Sequence, residues 1–202
     1  MIAIIDYGVG NLSSLQNSFS AIGEPSLITN SQETIKSCDK LLLPGVGAFP
    51  DAVKMLKESG LFEVVKDEVK SGKKLLGVCL GMQMLFEKSY EYGENEGLGL
   101  LKGEVVPMKG RIRDDLKIPH MGWNSLHITR DNELLKYVSE GDYVYFVHSF
   151  FADRCEDSLI ASCDYGGTIT AVVAKDNVYG CQFHPEKSGT VGLKILKAFC
   201  EV

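Results

Sequence analysis

Between its first residue and Val78 the chain alternates short, unbroken apolar runs with segments of helical spacing, and no other feature narrows its possible folds as much. Ile2 to Asp6, Lys40 to Leu43 and Lys74 to Val78 read as strands buried on both faces, because a strand wetted on one face would alternate apolar with polar residues. Asn11 to Ile22 and Ala48 to Ser71 carry helical spacing, the second broken near Gly60, and Pro25 to Ile28 is a further short strand. Such alternation predicts an α/β fold with a mixed, mostly parallel central sheet and helices on both faces. The second half changes character. Gly103 to Pro107, Leu126 to Ile128, Tyr143 to Val147, Leu159 to Cys163, Thr170 to Ala174 and Val178 to Phe183 are strand-like with turn-like connections, which predicts an antiparallel extension of the sheet. Thr190 to Cys200 closes the chain as a helix whose inward face carries Val191, Leu193, Ile195, Leu196 and Phe199.

With 202 residues, 45% hydrophobic and 24% charged, the chain has the makings of one globular domain spanning 1–202. Its net charge of -6, with lysines and acids interspersed, offers no basic stripe to nucleic acid or to an anionic membrane. The N-terminus is apolar but brief, lacks a basic flank and runs into Tyr7-Gly8-Val9-Gly10, so a soluble, cytoplasmic protein is expected. Six cysteines without a C-x-x-C pair suggest neither a metal site nor a redox dithiol. Most read as small buried hydrophobes. Asn11-Leu12-Ser13 fits a glycosylation acceptor formally, but reads better as a loop or helix-start asparagine.

The chemistry concentrates at Leu75-Leu76-Gly77-Val78-Cys79-Leu80-Gly81-Met82-Gln83, an apolar strand meeting a helix with cysteine at the junction and glycine two places to either side. This is the cysteine form of a nucleophile elbow: the glycines allow a tight turn, and the helix N-terminus favours thiolate and presents a backbone N–H to an oxyanion. A packed turn fits the same pattern. Of the four histidines, His184 follows an apolar strand and so sits at a strand end, where open α/β sheets place their crevices. In an extended His184-Pro185-Glu186 segment residues i and i+2 point the same way, so Glu186 would hold the imidazole. Nucleophile, base and orienter are then all present. Leu42-Leu43-Pro44-Gly45-Val46-Gly47-Ala48 runs a strand into a Gly-rich turn. It reads either as an ordinary βα turn or as the source of a second oxyanion donor whose peptide reorients.

Together these residues resemble the class I, triad-type glutamine amidotransferases, and within them the glutaminase subunits of imidazole glycerol phosphate synthases. The likeness runs through Asp6-Tyr7-Gly8-Val9-Gly10-Asn11-Leu12, Pro44-Gly45-Val46-Gly47-Ala48-Phe49, the Cys79 elbow, His120-Met121-Gly122-Trp123-Asn124, Phe146-Val147-His148-Ser149 and Gln182-Phe183-His184-Pro185-Glu186-Lys187-Ser188. It implies a flavodoxin-like fold and glutamine as substrate, with a Cys79, His184 and Glu186 triad, oxyanion donors at Val46 and Leu80, and no cofactor or metal. It further implies that Gly47, Gln83, Glu91, His148 and Ser149 hold glutamine. Asn11, Trp123, Tyr145 and Lys187 would face a (β/α)8-barrel cyclase that receives the ammonia in a heterodimer of histidine biosynthesis. Relatives of this subunit also serve other synthases, such as those that aminate sugars.

Two other classes compete. Gly8-Val9-Gly10 after a first strand suggests a dinucleotide site, but position 13 is Ser and the second strand ends without the acid that would hold a ribose. A cysteine peptidase on a related scaffold would use the same nucleophile and base on another acyl group. The mobile Gly45-Val46-Gly47 turn predicts a poor glutaminase in isolation, its oxyanion hole completed only with a partner.

Overall fold

The computed structural model describes all residues from Met1 to Val202. Its first half runs β1 (Ile2–Ile5), α1 (Leu12–Ala21), β2 (Ser26–Thr29), α2 (Gln32–Ser37), β3 (Lys40–Leu43), α3 (Phe49–Glu58), α4 (Leu61–Lys70), β4 (Lys74–Val78) and α5 (Leu80–Gln83). The second half supplies β5 (Phe86–Ser89), β6 (Asn95–Glu96), β7 (Leu101–Pro107), β8 (His120–Ser125), β9 (His127–Ile128), β10 (Tyr143–His148) and β11 (Phe150–Asp153). It ends in β12 (Leu159–Asp164), β13 (Thr168–Lys175), β14 (Val178–Cys181) and α6 (Gly189–Glu201).

The central sheet has the order β2-β1-β3-β4-β14-β13-β12-β9. Its first five strands are parallel and the rest antiparallel, as the change of pattern along the chain predicts. β1 is apolar throughout because both of its faces are covered: Ile2 and Ile4 pack with α1 and α6, Ala3 and Ile5 with α2, α3 and α4. The break near Gly60 is a turn in which that glycine takes φ 74° between α3 and α4.

Two segments expected in the extension lie elsewhere. β7 belongs to a separate sheet of order β11-β7-β5-β6, and β10 forms a two-stranded ribbon with β8. β5, β8 and β11 fall outside the expected strands: β8 reads His-Met-Gly-Trp-Asn-Ser, without a β-branched residue and with Gly122 at φ 127°. No helix is long and apolar enough to cross a membrane.

Register sets up the site. β4 and β14 are parallel neighbours with Val78 opposite Cys181, so both chains leave the sheet at its carboxyl edge side by side. The Cys79 N–H donates to Cys181 O across this pair at 2.8 Å.

Candidate active site

Cys79 stands at the turn between β4 and α5 with φ 54° and ψ -114°, a conformation that strains a side-chain-bearing residue and is kept only where the surroundings impose it. The flanking glycines do not take up this strain, since neither Gly77 nor Gly81 has positive φ. They are there for close approach: a Cβ on Gly77 would lie 2.7 Å from Gly81 O, and one on Gly81 would lie 1.9 Å from Leu43 O. The helix expected behind the cysteine is a single turn, Leu80–Gln83, too short to carry a strong macrodipole. What remains useful is the Leu80 N–H, which has no acceptor in the protein.

His184 Nδ1 and Glu186 Oε1 are 2.9 Å apart, as expected, but by a different geometry. The segment is not extended; Pro185–Lys187 is a 3-10 turn that starts at the proline, whose fixed φ suits a first helical position. The turn is tied to β10. His184 N–H donates to Tyr145 O at 2.9 Å, while the Ser188 hydroxyl donates to His184 O at 2.7 Å and accepts from Tyr145 N–H at 2.9 Å. Ser188 is thus a buried brace that the sequence offered only as the end of a motif.

Burial alone would push the His184 imidazole down. Its interaction with Cys79 and the hydrogen bond it donates to Glu186, with the negative charge of both, outweigh it and raise the pKa to about 9. The Glu186 side chain is almost wholly buried and its Oε2 has no partner, so the imidazolium is its one compensating group. At neutral pH His184 therefore carries its proton.

A cavity of about 310 Å³ opens at this edge, lined by Cys79, His184, Val46, Leu80 and all five residues expected to hold glutamine. Glu91 lies half-buried there, and its Oε2 accepts from Phe49 N–H, the first residue of α3, at 2.7 Å. Ser149 lines the wall through the turn between β10 and β11. Gly47, at φ 92°, has open space around it, and Val46 is 42% exposed with a free N–H. The start of this loop is fixed by Tyr7, unnoticed in the sequence, whose hydroxyl donates to Pro44 O at 2.7 Å. Burial, and then the charge at Cys79, push the Tyr7 phenol well up, so it stays a donor.

His148 and Gln83 are less free than expected. Phe150 O can only accept, so His148 Nδ1, 2.8 Å away, carries hydrogen. Its bare Nε2 accepts from His120 Nδ1 at 3.1 Å, and His120 Nε2 accepts from Asn124 Nδ2 at 3.3 Å. Both ring nitrogens of His148 are thereby spent inside the protein, so it lines the cavity through ring and backbone. Gln83 likewise spends its amide nitrogen on Phe150 O and Gln182 Oε1, at 2.9 and 3.0 Å.

Burial lowers the pKa of His120 to about 4, and burial together with the neighbouring imidazoles lowers that of His148 to about 3. Unfolded histidine titrates near ~6.5, so their contribution to stability is complete above that pH and is lost as pH falls toward about 4 and about 3. His184 works the other way: its contribution is complete below ~6.5 and is lost as pH rises through about 9. Ring NMR titration should find His120 and His148 neutral at pH ~5.5 while His184 stays charged at pH ~8. A His148 ring titrating near ~6.5 would contradict the buried relay.

Trp123, Tyr145 and Lys187 gather on the outer face of the β8–β10 ribbon. Trp123 is 56% exposed, its ring centroid lies 6.0 Å from that of Tyr145, and Lys187 Nζ stands 5.9 Å from the centre of the Tyr145 ring. Asn11 precedes α1 without capping it by its side chain.

A strained cysteine at a strand end, beside a histidine held by a buried carboxylate, is a site built for acyl transfer to sulfur. The chain belongs to the class I glutamine amidotransferase family, whose description, "Glutamine amidotransferase class-I", matches residues 3–201. It is 52% identical to the imidazole glycerol phosphate synthase subunit HisH of Lactococcus lactis subsp. lactis, over 99% of this chain and 98% of that one. It is also 52% identical to the protein of the same name from Caldanaerobacter subterraneus, over 100% and 98%. Among solved structures, one described as a glutamine amidotransferase superposes with a TM-score of 0.77 at 19% identity, covering 100% of this chain and 98% of that one. That likeness speaks for the fold, which is the α/β architecture expected.

Proposed function

We infer that this chain is the glutaminase subunit of an imidazole glycerol phosphate synthase, a cytoplasmic enzyme of histidine biosynthesis. What carries the reading is the meeting of Cys79 and His184 in one cavity at the ends of β4 and β14, with Glu186 buried against the imidazole, in a chain half identical to subunits of that name. Glutamine enters with its side-chain amide toward Cys79 and its head group toward Gly47, Glu91 and Ser149. Sulfur, as thiolate, attacks the amide carbon, and the developing oxyanion takes the N–H groups of Leu80 and Val46. His184 gives its proton to the departing nitrogen, the C–N bond breaks, and ammonia leaves a thioester on Cys79. Water then attacks, its proton passing to His184 while Glu186 holds the ring, and glutamate and thiolate are regenerated. No cofactor or metal takes part.

The ammonia passes to a (β/α)8-barrel cyclase subunit docked over Asn11, Trp123, Tyr145 and Lys187, which uses it to make imidazole glycerol phosphate and aminoimidazole carboxamide ribotide. Met121, 61% exposed beside Trp123 on the same ribbon face, supports docking here, because apolar side chains grouped on an edge ribbon mark a covered surface. Docking also completes the oxyanion hole. The loop from Gly45 to Gly47 is held at its two ends and free in the middle, which suits a two-position switch.

Glutamate release by the chain alone, and with the cyclase and its nucleotide ligand, tests this directly. Release should be slow alone and rise with the partner, and Trp123→Ala should weaken partner binding by roughly tenfold or more without touching the cavity. Release that ignores the cyclase would move the chain to another synthase.

A further inference from the structure

Gln182 lies directly before Phe183 and His184, is 0% exposed, and has no part in the chemistry described so far. Its backbone is fixed by an N–H to Ala171 O bond of 2.8 Å, beyond the end of β14. Its side-chain Nε2 reaches Cys79 Sγ at 3.9 Å. An amide has two ends, one donating and one accepting, and their assignment rests on the network behind it.

Here the network leaves one solution. Phe150 O is a backbone carbonyl and can only accept, so Gln83, 2.9 Å away, must turn its NH₂ toward it. The same Gln83 nitrogen lies 3.0 Å from the Gln182 side chain, which must therefore present its oxygen. That leaves the NH₂ of Gln182 facing sulfur. Besides His184, the base already described, the sulfur meets Val147 O, also at 3.9 Å, an acceptor that suits only the protonated thiol. Of Gln182 and Val147 O, Gln182 alone favours the charged form.

We propose that Gln182 is a further catalytic residue, whose side-chain N–H stabilises the Cys79 thiolate, and that Gln83 is the positioning residue that keeps this N–H turned toward sulfur. Its contribution falls at two points in the cycle. Before attack it holds the thiolate against the pull of Val147 O. During thioester hydrolysis, when the C–S bond breaks and its electron pair returns to sulfur, it meets the charge that reappears. The proposal rests on Cys79 being the nucleophile of the glutaminase reading, and the test separates the two.

Alkylation of the folded protein by iodoacetamide, with the labelled cysteine identified by peptide mass, gives a pH profile for wild type and for Gln182→Met, a side chain of similar length without a donor. The profile of Cys79 should move up by about one pH unit in the variant, and in the cyclase complex kcat should fall about tenfold near neutral pH with KM little changed. An unchanged profile overturns the role of Gln182 and leaves the triad intact; a label that falls on a different cysteine in wild type overturns the nucleophile itself. Should Gln182→Met fail to fold, the wild-type protein answers the question. The ¹⁵N resonance of the Gln182 side chain should follow the alkylation profile across the same pH range and stay still in Cys79→Ala. A resonance that ignores that profile in wild type overturns the proposal equally.

Discussion

Exchanging Cys79 for alanine is expected to lower glutamate release in the cyclase complex by roughly four orders of magnitude or more, to the uncatalysed background. The size follows from the absence of a substitute. Cys181 is the adjacent cysteine in space, but it is fully buried, and burial, with the charge of Glu186 and Cys79 beside it, pushes its thiol well up. Cys163 and Cys200 are raised to about 12 by burial, and Cys155 is raised as well. A thiol in that state is a poor nucleophile. Glutamine should still bind, because the groups that hold its head do not include the sulfur, and isothermal titration can show this. Ammonium salt supplied from outside should restore the partner's product without restoring glutamate. Residual glutamine-dependent release above about a hundredth of wild type would mean that another group attacks the amide.

The elements that sequence reads best are those whose environment is uniform along their length. β1, and β3 and β4 beyond their half-buried first residues Lys40 and Lys74, are buried on both faces, so no position there carries a polar side chain and the run ends where burial ends. The break at Gly60 was equally plain, since a glycine at φ 74° between two amphipathic helices has few other uses. β8 was opaque for the opposite reason. Its inner face carries His120 and Asn124 for the hydrogen-bonded relay, and its outer face carries Met121 and Trp123, so neither face shows the usual alternation. The division of the late strands among three sheets depends on pairings distant along the chain, which no local pattern encodes.

The site was legible as a set of residues, less so as geometry. Cys79, His184 and Glu186 are where the motifs put them, yet three local mechanisms differ. The strain sits on Cys79 rather than on its glycines, the helix behind it is one turn, and the histidine meets its carboxylate through a 3-10 turn. Each difference comes from tertiary packing. α5 is short because Phe86–Ser89 is drawn off into a second sheet, and the glycines are dictated by the approach of another backbone. Tyr7, Ser188 and Gln182 were missed as working residues because each acts on a group far away in sequence: Pro44 O, the backbone of Tyr145, and Cys79 Sγ. All three lie inside or beside quoted motifs, which was the available signal.

That backbone contact makes a single methyl group at Gly81 costly for stability. Gly81→Ala would place a Cβ 1.9 Å from Leu43 O, 2.8 Å from Leu43 C and 3.1 Å from Pro44 C. None of these atoms is the end of a flexible side chain, so the whole elbow must separate from the end of β3. Overpacking against fixed backbone is expected to cost about 3 kcal/mol or more. In a domain of this size that is a fall of roughly 6 to 12 °C in Tm. The reverse face of the contact is also closed to a side chain, since a Cβ on Gly45 would meet Gly81 N at 2.6 Å. Activity should fall further than stability alone would take it, because the same separation pulls the Leu80 N–H away from the loop that carries Val46. Gly47→Ala is the natural comparison: at φ 92° with nothing within 4 Å, it meets conformational strain but no atom. A left-handed side chain costs about 1 to 2 kcal/mol, so this variant should melt several degrees above Gly81→Ala while still losing activity through the loop. If Gly81→Ala melts with the wild type, the elbow and the oxyanion loop are not in contact, and the glycine beyond the nucleophile needs a different explanation.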